Sequence, residues 1–226
     1  ARDVVRAGLD GVEGHRGEEL APKRLVLRRA EEEPARRHVH EAGRGALAGP
    51  VAVGAVILPS HPKRLLSRAL SGVRDSKQMT PLERESLAPR IKAIALTWSV
   101  AFASAEEIDL LGIVPATRLA AMRALNGLSI TPQYLLTDFR LELPELDISQ
   151  TALVKGDALC LSIAAASVLA KTARDQLMCE LDLCYQGYGL RAHKGYGTQA
   201  HRSAMKRLGI SPIHRKTFQV KELRMA

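Results

Sequence analysis

From Val51 to Cys184 short apolar runs alternate with longer stretches that carry helix start signals, and that alternation points to an α/β fold. Val51 to Leu58 is a β-branched apolar run closed by Pro59, which reads as a buried strand. Thr97 to Ala103 reads as a second strand. Tyr134 to Thr137 is a third, ending on Asp138, and Thr151 to Val154 a fourth, ending just before Gly156 and Asp157. Between them lie the helices. His61 to Gly72 is a loop or short helix. Thr80 is placed as an N-cap, with Pro81 at the first helical position and Glu83 three residues after the cap. Ser104 and Glu107 repeat that capping box. A further helix runs from about Pro115 to Leu125 and stops near Asn126 and Gly127. After Asp157 a long helix is expected, with Ile163, Ala166, Ala170, Ala173 and Leu177 forming one narrow apolar stripe. Its alanines call for close packing. Gly187 to Gly197 reads as a loop, and Thr198 to Leu208 as a last helix ended by Gly209.

The first 39 residues differ from this body. They are rich in Arg, Glu and Gly and show little apolar periodicity beyond Leu25 to Leu27, so no structure is assigned to them. Arg36 to Val39 make a poor buried strand. The expected organisation is an atypical segment over 1–39, a catalytic domain over 40–220 and a tail over 221–226. With 46% hydrophobic residues the chain has enough apolar content for a core, although aromatics are only 4%. No apolar run approaches the ~20 residues that span a bilayer, and no leader pattern opens the sequence, so a cytoplasmic protein with no membrane partner is expected. Cys160, Cys179 and Cys184 are odd in number and lack C-x-x-C spacing; they read as reduced thiols rather than a zinc site.

The net charge of +9 is concentrated. Residues 186–226 hold nine basic residues and one acidic, beside His193, His201 and His214. Such a basic face suits a polyanion, because each neutralised phosphate releases counterions; a solvated C-terminal segment is the other reading.

Three carboxylates stand where strands end or helices begin: Glu41, Asp138 and Asp157. Active sites of α/β sheets collect at such places. Each also has a plain reading, Asp157 as a helix N-cap, Asp138 as a turn-starting residue and Glu41 as an exposed loop residue.

The words around them are more specific. HEAGRGALAGP at 40–50 resembles the signature of the ribonucleases HII, in which an Asp-Glu pair precedes Gly-Arg-Gly and an apolar strand follows. DSKQMTP at 75–81, ASAEEID at 103–109 and LLTD at 135–138 match further family stretches. So do VKGD at 154–157 with AAASVLAK at 164–171 and Arg174-Asp175, then HKGYGT at 193–198 and SPIHR at 211–215. Seven words in family order, over roughly residues 41–220, are a specific resemblance.

The resemblance implies a ribonuclease H-like fold: a mixed sheet of about five strands flanked by helices, the first three strands antiparallel, with a basic C-terminal helical segment. It implies an endonuclease cutting on the 5′ side of ribonucleotides in RNA/DNA hybrids or at single ribonucleotides in duplex DNA, a step in ribonucleotide excision repair. It implies Mg²⁺ or Mn²⁺ held by four acidic positions, which fall here at His40, Glu41, Asp138 and Asp157. Hard divalent ions prefer carboxylate oxygens. In the family the loop at Gly43, Arg44 and Gly45 senses the ribose 2′-hydroxyl, and the residue matching Tyr196 stacks on the following sugar. Lys77, Lys155, Lys171, Lys194 and Arg215 are candidate phosphate contacts or site-orienting cations. A monomer is expected, and no copy of a clamp-recruiting peptide is seen near the end.

His40 departs from the pattern. Imidazole is a neutral single-point donor where an aspartate supplies a charge and can bridge two ions, and it suits Mn²⁺ better than Mg²⁺. The sequence therefore supports two readings: a ribonuclease HII with impaired Mg²⁺-dependent activity, and a nucleic-acid-binding homologue with little or no hydrolysis. A related nuclease of the same fold acting on long hybrids or on DNA alone fits less well with Gly43-Arg44-Gly45 and Tyr196.

Overall fold

The structure is a computed structural model that describes residues 36–59, 63–131, 133–138, 141–153 and 160–218. A five-stranded mixed sheet forms its centre. The strands are β1 (Arg36–Ala42), β2 (Val51–Ile57), β3 (Thr97–Ala103), β4 (Tyr134–Asp138) and β5 (Ser149–Leu153), in the spatial order β3-β2-β1-β4-β5. β2 runs antiparallel to β1 and β3, and β4 and β5 extend the sheet in parallel from β1. The helices are α1 (Lys63–Ala69), α2 (Pro81–Ile94), α3 (Ala105–Leu111), α4 (Ile113–Asn126), α5 (Leu161–Cys184), α6 (Leu190–His193) and α7 (Gln199–Leu208). A 3-10 turn at Ser76–Gln78 precedes α2.

The expectation for Arg36 to Val39 needs correction: these residues begin a strand, and it is the central one. β1 pairs with β2 on one side and β4 on the other, so its backbone groups are satisfied across both edges. Strand preference reflects fit to a paired, half-buried surface more than intrinsic tendency, and two flanking strands outweigh an unfavourable local sequence. Residues 1–35 and 219–226 lie outside the described residues.

Each face of the sheet has its own core. Val39, Val51, Val53, Ala55 and Leu135 pack against α4 with Ala116, Ala120 and Ala124. Ala52, Val56, Val100 and Phe102 pack on the other face against α5 with Ala166, Leu169 and Ala170. All seven residues of β2 are buried, as expected of a strand covered on both sides. The capping boxes at Thr80–Glu83 and Ser104–Glu107 are present. Glu107 also takes two hydrogen bonds from Arg123, at 2.6 and 3.0 Å, which fastens α3 to α4. At the open edge Gln150 of β5 bonds both the N–H and the carbonyl of Leu143 through its side-chain amide, at 3.0 and 2.6 Å. A side chain thus stands in for a further strand.

α5 is not the one-stripe helix expected from its spacing. Ile163, Ala166 and Ala170 are buried, but so is every residue from Ser162 to Ala170. The small side chains let this half sink between the sheet and α2, with Gly54 of β2 lying directly under the Ala166 carbonyl. Among the described residues no helix is long and apolar enough to cross a membrane. None of the three cysteines, all among the described residues, is in a disulfide; Cys160 and Cys179 are half-buried and Cys184 is exposed.

Candidate active site

The loop from Gly43 to Pro50 leaves β1 and re-enters the sheet as β2. Its shape is set by two buried arginines. Arg215 donates to the carbonyls of Gly43 (2.8 Å), Arg44 (2.8 Å) and Gly49 (3.0 Å). Arg174 donates to those of Pro50 (2.8 Å), Ala48 (3.2 Å) and, on a different loop, Lys194 (2.9 Å). Backbone bonds complete the binding: Leu47 and Ala48 donate to Gly195, Gly49 donates to Ile213, and Arg215 donates to Leu47.

The two flanking glycines differ in what demands them. Gly43 has φ +87°, and a Cβ there would fall on the Arg174 guanidinium. Gly45 is exposed, and no atom lies within 4 Å of where its Cβ would be. Among the described residues nothing requires glycine at Gly45, which leaves its backbone open to close approach from outside.

Tyr196 rises from the neighbouring loop, held by Gly195 at φ +80° and Lys194 at φ +51°. The residue is 37% exposed, and its ring lies over Lys171 Nζ (5.6 Å) and the Arg174 guanidinium carbon (5.5 Å). Lys171 pairs with Asp175 at 2.6 Å, and Asp175 also accepts from Arg84 at 3.1 Å. Arg84 in turn donates to the carbonyls of Ser76 (2.9 Å) and Met79 (2.5 Å), tying the 75–81 loop to α5. Burial lowers the Lys171 pKa, while the Asp175 carboxylate works to keep it charged.

Three imidazoles brace the Tyr196 loop from below. His214 Nδ1 accepts from the Ser211 N–H at 3.0 Å, so when neutral it carries its proton on Nε2 and donates to His201 Nε2 at 3.2 Å. His201 must then be protonated on Nδ1, from which it donates to the Tyr196 carbonyl at 3.0 Å. His193 stacks on His201 with centroids 4.3 Å apart. Burial, with His193 adding to it, holds the His201 pKa down to about 4, and burial lowers that of His214 as well.

The depressed His201 pKa has a signed consequence. An unfolded histidine takes up its proton near pH 6.5, whereas the folded His201 resists until about 4. Stability is therefore full above pH 6.5 and falls as the pH drops through that window. Unfolding in urea at pH 5 should show about 2 kcal/mol less stability than at pH 7.5 from this group alone. His201→Gln should flatten the difference, and an unchanged slope in the variant would contradict the assignment.

At the strand ends, Val39 of β1 pairs with Thr137 of β4, which sets position 40 level with position 138 at the end of β4. In a parallel pair, level positions share a face. His40 is buried at 2% exposure, on the α5 side of the sheet, where its antiparallel partner is Gly54. Glu41 is half-buried and pairs with Val53, so strand alternation places it on the opposite side from His40. Asp138 closes β4, with its side chain outside the described residues. Asp157 and Lys155 also lie outside them. Among the described residues no three metal-binding side chains cluster.

The model of the ribonuclease HII family matches residues 39–221. The chain belongs to the ribonuclease HII family. It is 51% identical over 178 residues to a ribonuclease HII of Dehalococcoides mccartyi, covering 79% of this chain and 82% of that one. It is 50% identical over 181 residues to a ribonuclease HII of Moorella thermoacetica, covering 80% and 84%. Among solved structures, the ribonuclease H2 of Pyrococcus horikoshii matches with a TM-score of 0.68 and 28% identity over 81% of this chain and 93% of that one. The family is one of endoribonucleases, hydrolases of the nucleic-acid backbone.

Within the ribonuclease HII frame the basic candidates, each expected as a phosphate contact or a site-orienting cation, divide between those two kinds of place. Arg215 is not placed as a phosphate contact: it is 3% exposed, and its three bonds go to backbone carbonyls. Lys194 Nζ is engaged with the Arg191 carbonyl at 2.5 Å and Cys179 Sγ at 3.1 Å. Lys171 is a paired, partly buried cation beneath Tyr196, and Lys77 is exposed. Arg174, Arg84 and the His201–His214 pair were missed as site-building residues. Their sequence signal was membership in the family words, which does not tell a ligand contact from a brace.

Proposed function

We propose that this chain is an endoribonuclease that hydrolyses the phosphodiester on the 5′ side of a ribonucleotide within RNA/DNA hybrids or duplex DNA, leaving a 5′-phosphate and a 3′-hydroxyl. The observation that carries this reading is the Gly43-Arg44-Gly45 loop, locked by Arg174 and Arg215 beside Tyr196 while Gly45 stays open. Peptide groups at such a glycine can hydrogen-bond a ribose 2′-hydroxyl, the feature that separates RNA from DNA. Tyr196 offers an exposed ring to the following sugar, with Lys171 beneath it supplying positive charge near the phosphates. The basic segment from 186 onward extends that field along a duplex.

The donor set fits a divalent cation, with one charge fewer than four carboxylates would bring: Glu41, Asp138 and Asp157 offer hard oxygens, and His40 an imidazole. When bound there, Mg²⁺ or Mn²⁺ would supply Lewis acidity at the phosphate and would make water a better nucleophile at neutral pH. The residues of the chain bind and align the strand, and the buried arginines hold the reading loops still. The setting is ribonucleotide excision repair, with the enzyme working as a monomer in the cytoplasm.

The test compares a duplex with one ribonucleotide, a duplex with a run of four, and an all-DNA duplex, each in Mg²⁺ and in Mn²⁺. Cleavage is expected only where ribose is present, with more activity in Mn²⁺. Cutting of the all-DNA duplex at a similar rate would overturn the reading. The buried imidazole at position 40 favours a second outcome, selective binding without cleavage in either metal, which would mark a binding homologue.

A further inference from the structure

We infer that Arg174 is a positioning residue for substrate selection: it fixes the spacing between the loop that senses the ribose and the tyrosine that reads the next sugar. This rests on the functional reading above and adds a residue to it. Three observations converge on one side chain. Its guanidinium is fully buried on α5 and bonds carbonyls on both loops, Ala48 and Pro50 at the end of one and Lys194, two residues before Tyr196, on the other. Its central carbon Cζ lies 5.5 Å from the Tyr196 ring centroid. Gly43, the first residue of the sensing loop, packs so closely on Nε that any side chain there would collide with it.

Two readouts on successive nucleotides work together only if their separation is fixed, because a misplacement near 1 Å can cost ~100-fold. A planar fork can hold three carbonyls on two segments at once. A lysine ammonium donates from a single point at the end of a flexible stem and cannot span them. Arg215 lacks this double reach: its bonds go to Gly43, Arg44 and Gly49, all within the first loop. Arg174 alone, among the described residues, bonds both loops through one guanidinium and touches Gly43 and Tyr196 as well.

The experiment measures binding in EDTA, so it does not depend on turnover or on bound metal. Fluorescence anisotropy at one salt concentration compares a fluorescein-labelled duplex bearing a single ribonucleotide with its all-DNA counterpart, for the parent chain and for Arg174→Lys. The parent should prefer the ribonucleotide duplex. Arg174→Lys should lose roughly tenfold or more of that preference while its affinity for the all-DNA duplex, set by phosphate contacts, changes less than about twofold. Melting curves check that the variant folds. If it does not, Arg174→Gln, whose short amide cannot reach carbonyls on both loops, takes its place, and the same loss of preference is expected. A parent with no preference overturns the sensing-loop reading and the inference with it. A parent that discriminates, with a variant that keeps the ratio or weakens both duplexes equally, overturns the role of Arg174 and leaves the function standing.

Discussion

Replacing His40 with aspartate is expected to raise Mg²⁺-supported cleavage of a single-ribonucleotide duplex by more than ~100-fold. Groups that merely orient a metal ligand are worth roughly 10–100-fold, so exchange of a ligand itself should exceed that range. The pairing of Val39 with Thr137 places position 40 level with Asp138, on the buried α5 side of the sheet. A carboxylate there would return the missing negative charge and a hard oxygen donor. The gain should be smaller in Mn²⁺, which accepts imidazole more readily than Mg²⁺ does. Equal rates for parent and variant in Mg²⁺ would show that His40 does not limit the reaction.

The same substitution has a second readout that needs no substrate. An aspartate at position 40 would add a negative charge level with Asp138 without a compensating cation. In EDTA His40→Asp should therefore melt below the parent. Added Mg²⁺ should raise its Tm by more than it raises the parent's, because an ion that binds only the folded state stabilises it by mass action. A variant that gains nothing from Mg²⁺ would place the metal-binding positions elsewhere.

The fold was legible where local chemistry and tertiary context agree. Thr80 with Pro81 and Glu83, and Ser104 with Glu107, state their helix starts outright, and both boxes are present. Val51 to Leu58, apolar and β-branched, reads as a buried strand, and Val51–Ile57 forms one covered on both sides. β1 was illegible for the opposite reason. Nothing in Arg36 to His38 advertises a central strand; its place follows from pairing with β2 on one side and with β4, far along the chain, on the other. In the site, the loop words located the right segments but could not assign roles. Arg215 and Lys171 look alike as basic residues in family motifs. Only packing shows that Arg215 ends on three carbonyls while Lys171 ends beneath the Tyr196 ring. Gly45 was marked by its motif, and the empty space around it now distinguishes it from Gly43, which the Arg174 contact already requires.

Gly54→Val should be among the most damaging single changes in this protein, although strand preference predicts the reverse. In an extended strand valine is favoured over glycine by up to ~1 kcal/mol. Gly54 lies in the middle of β2, between His40 of β1 and Val100 of β3, where that preference would normally apply. A Cβ at this point would strike the Ala166 carbonyl oxygen and lie 3.2 Å from the Ala170 nitrogen. Both are backbone atoms of α5, so no side chain can swing aside, and the helix itself would have to retreat. Even alanine should cost about 2–3 kcal/mol, the upper part of the range for overpacking, and valine more. For a domain of this size 3 kcal/mol corresponds to roughly 6–12 °C in Tm. The damage should also reach the site, because the segment that retreats carries Lys171 and Arg174 on its next turns. Thermal and urea unfolding of Gly54→Ala and Gly54→Val decide between the two effects: a neutral or stabilised alanine variant would mean that α5 does not rest on this glycine, and a graded loss from alanine to valine would mean that it does.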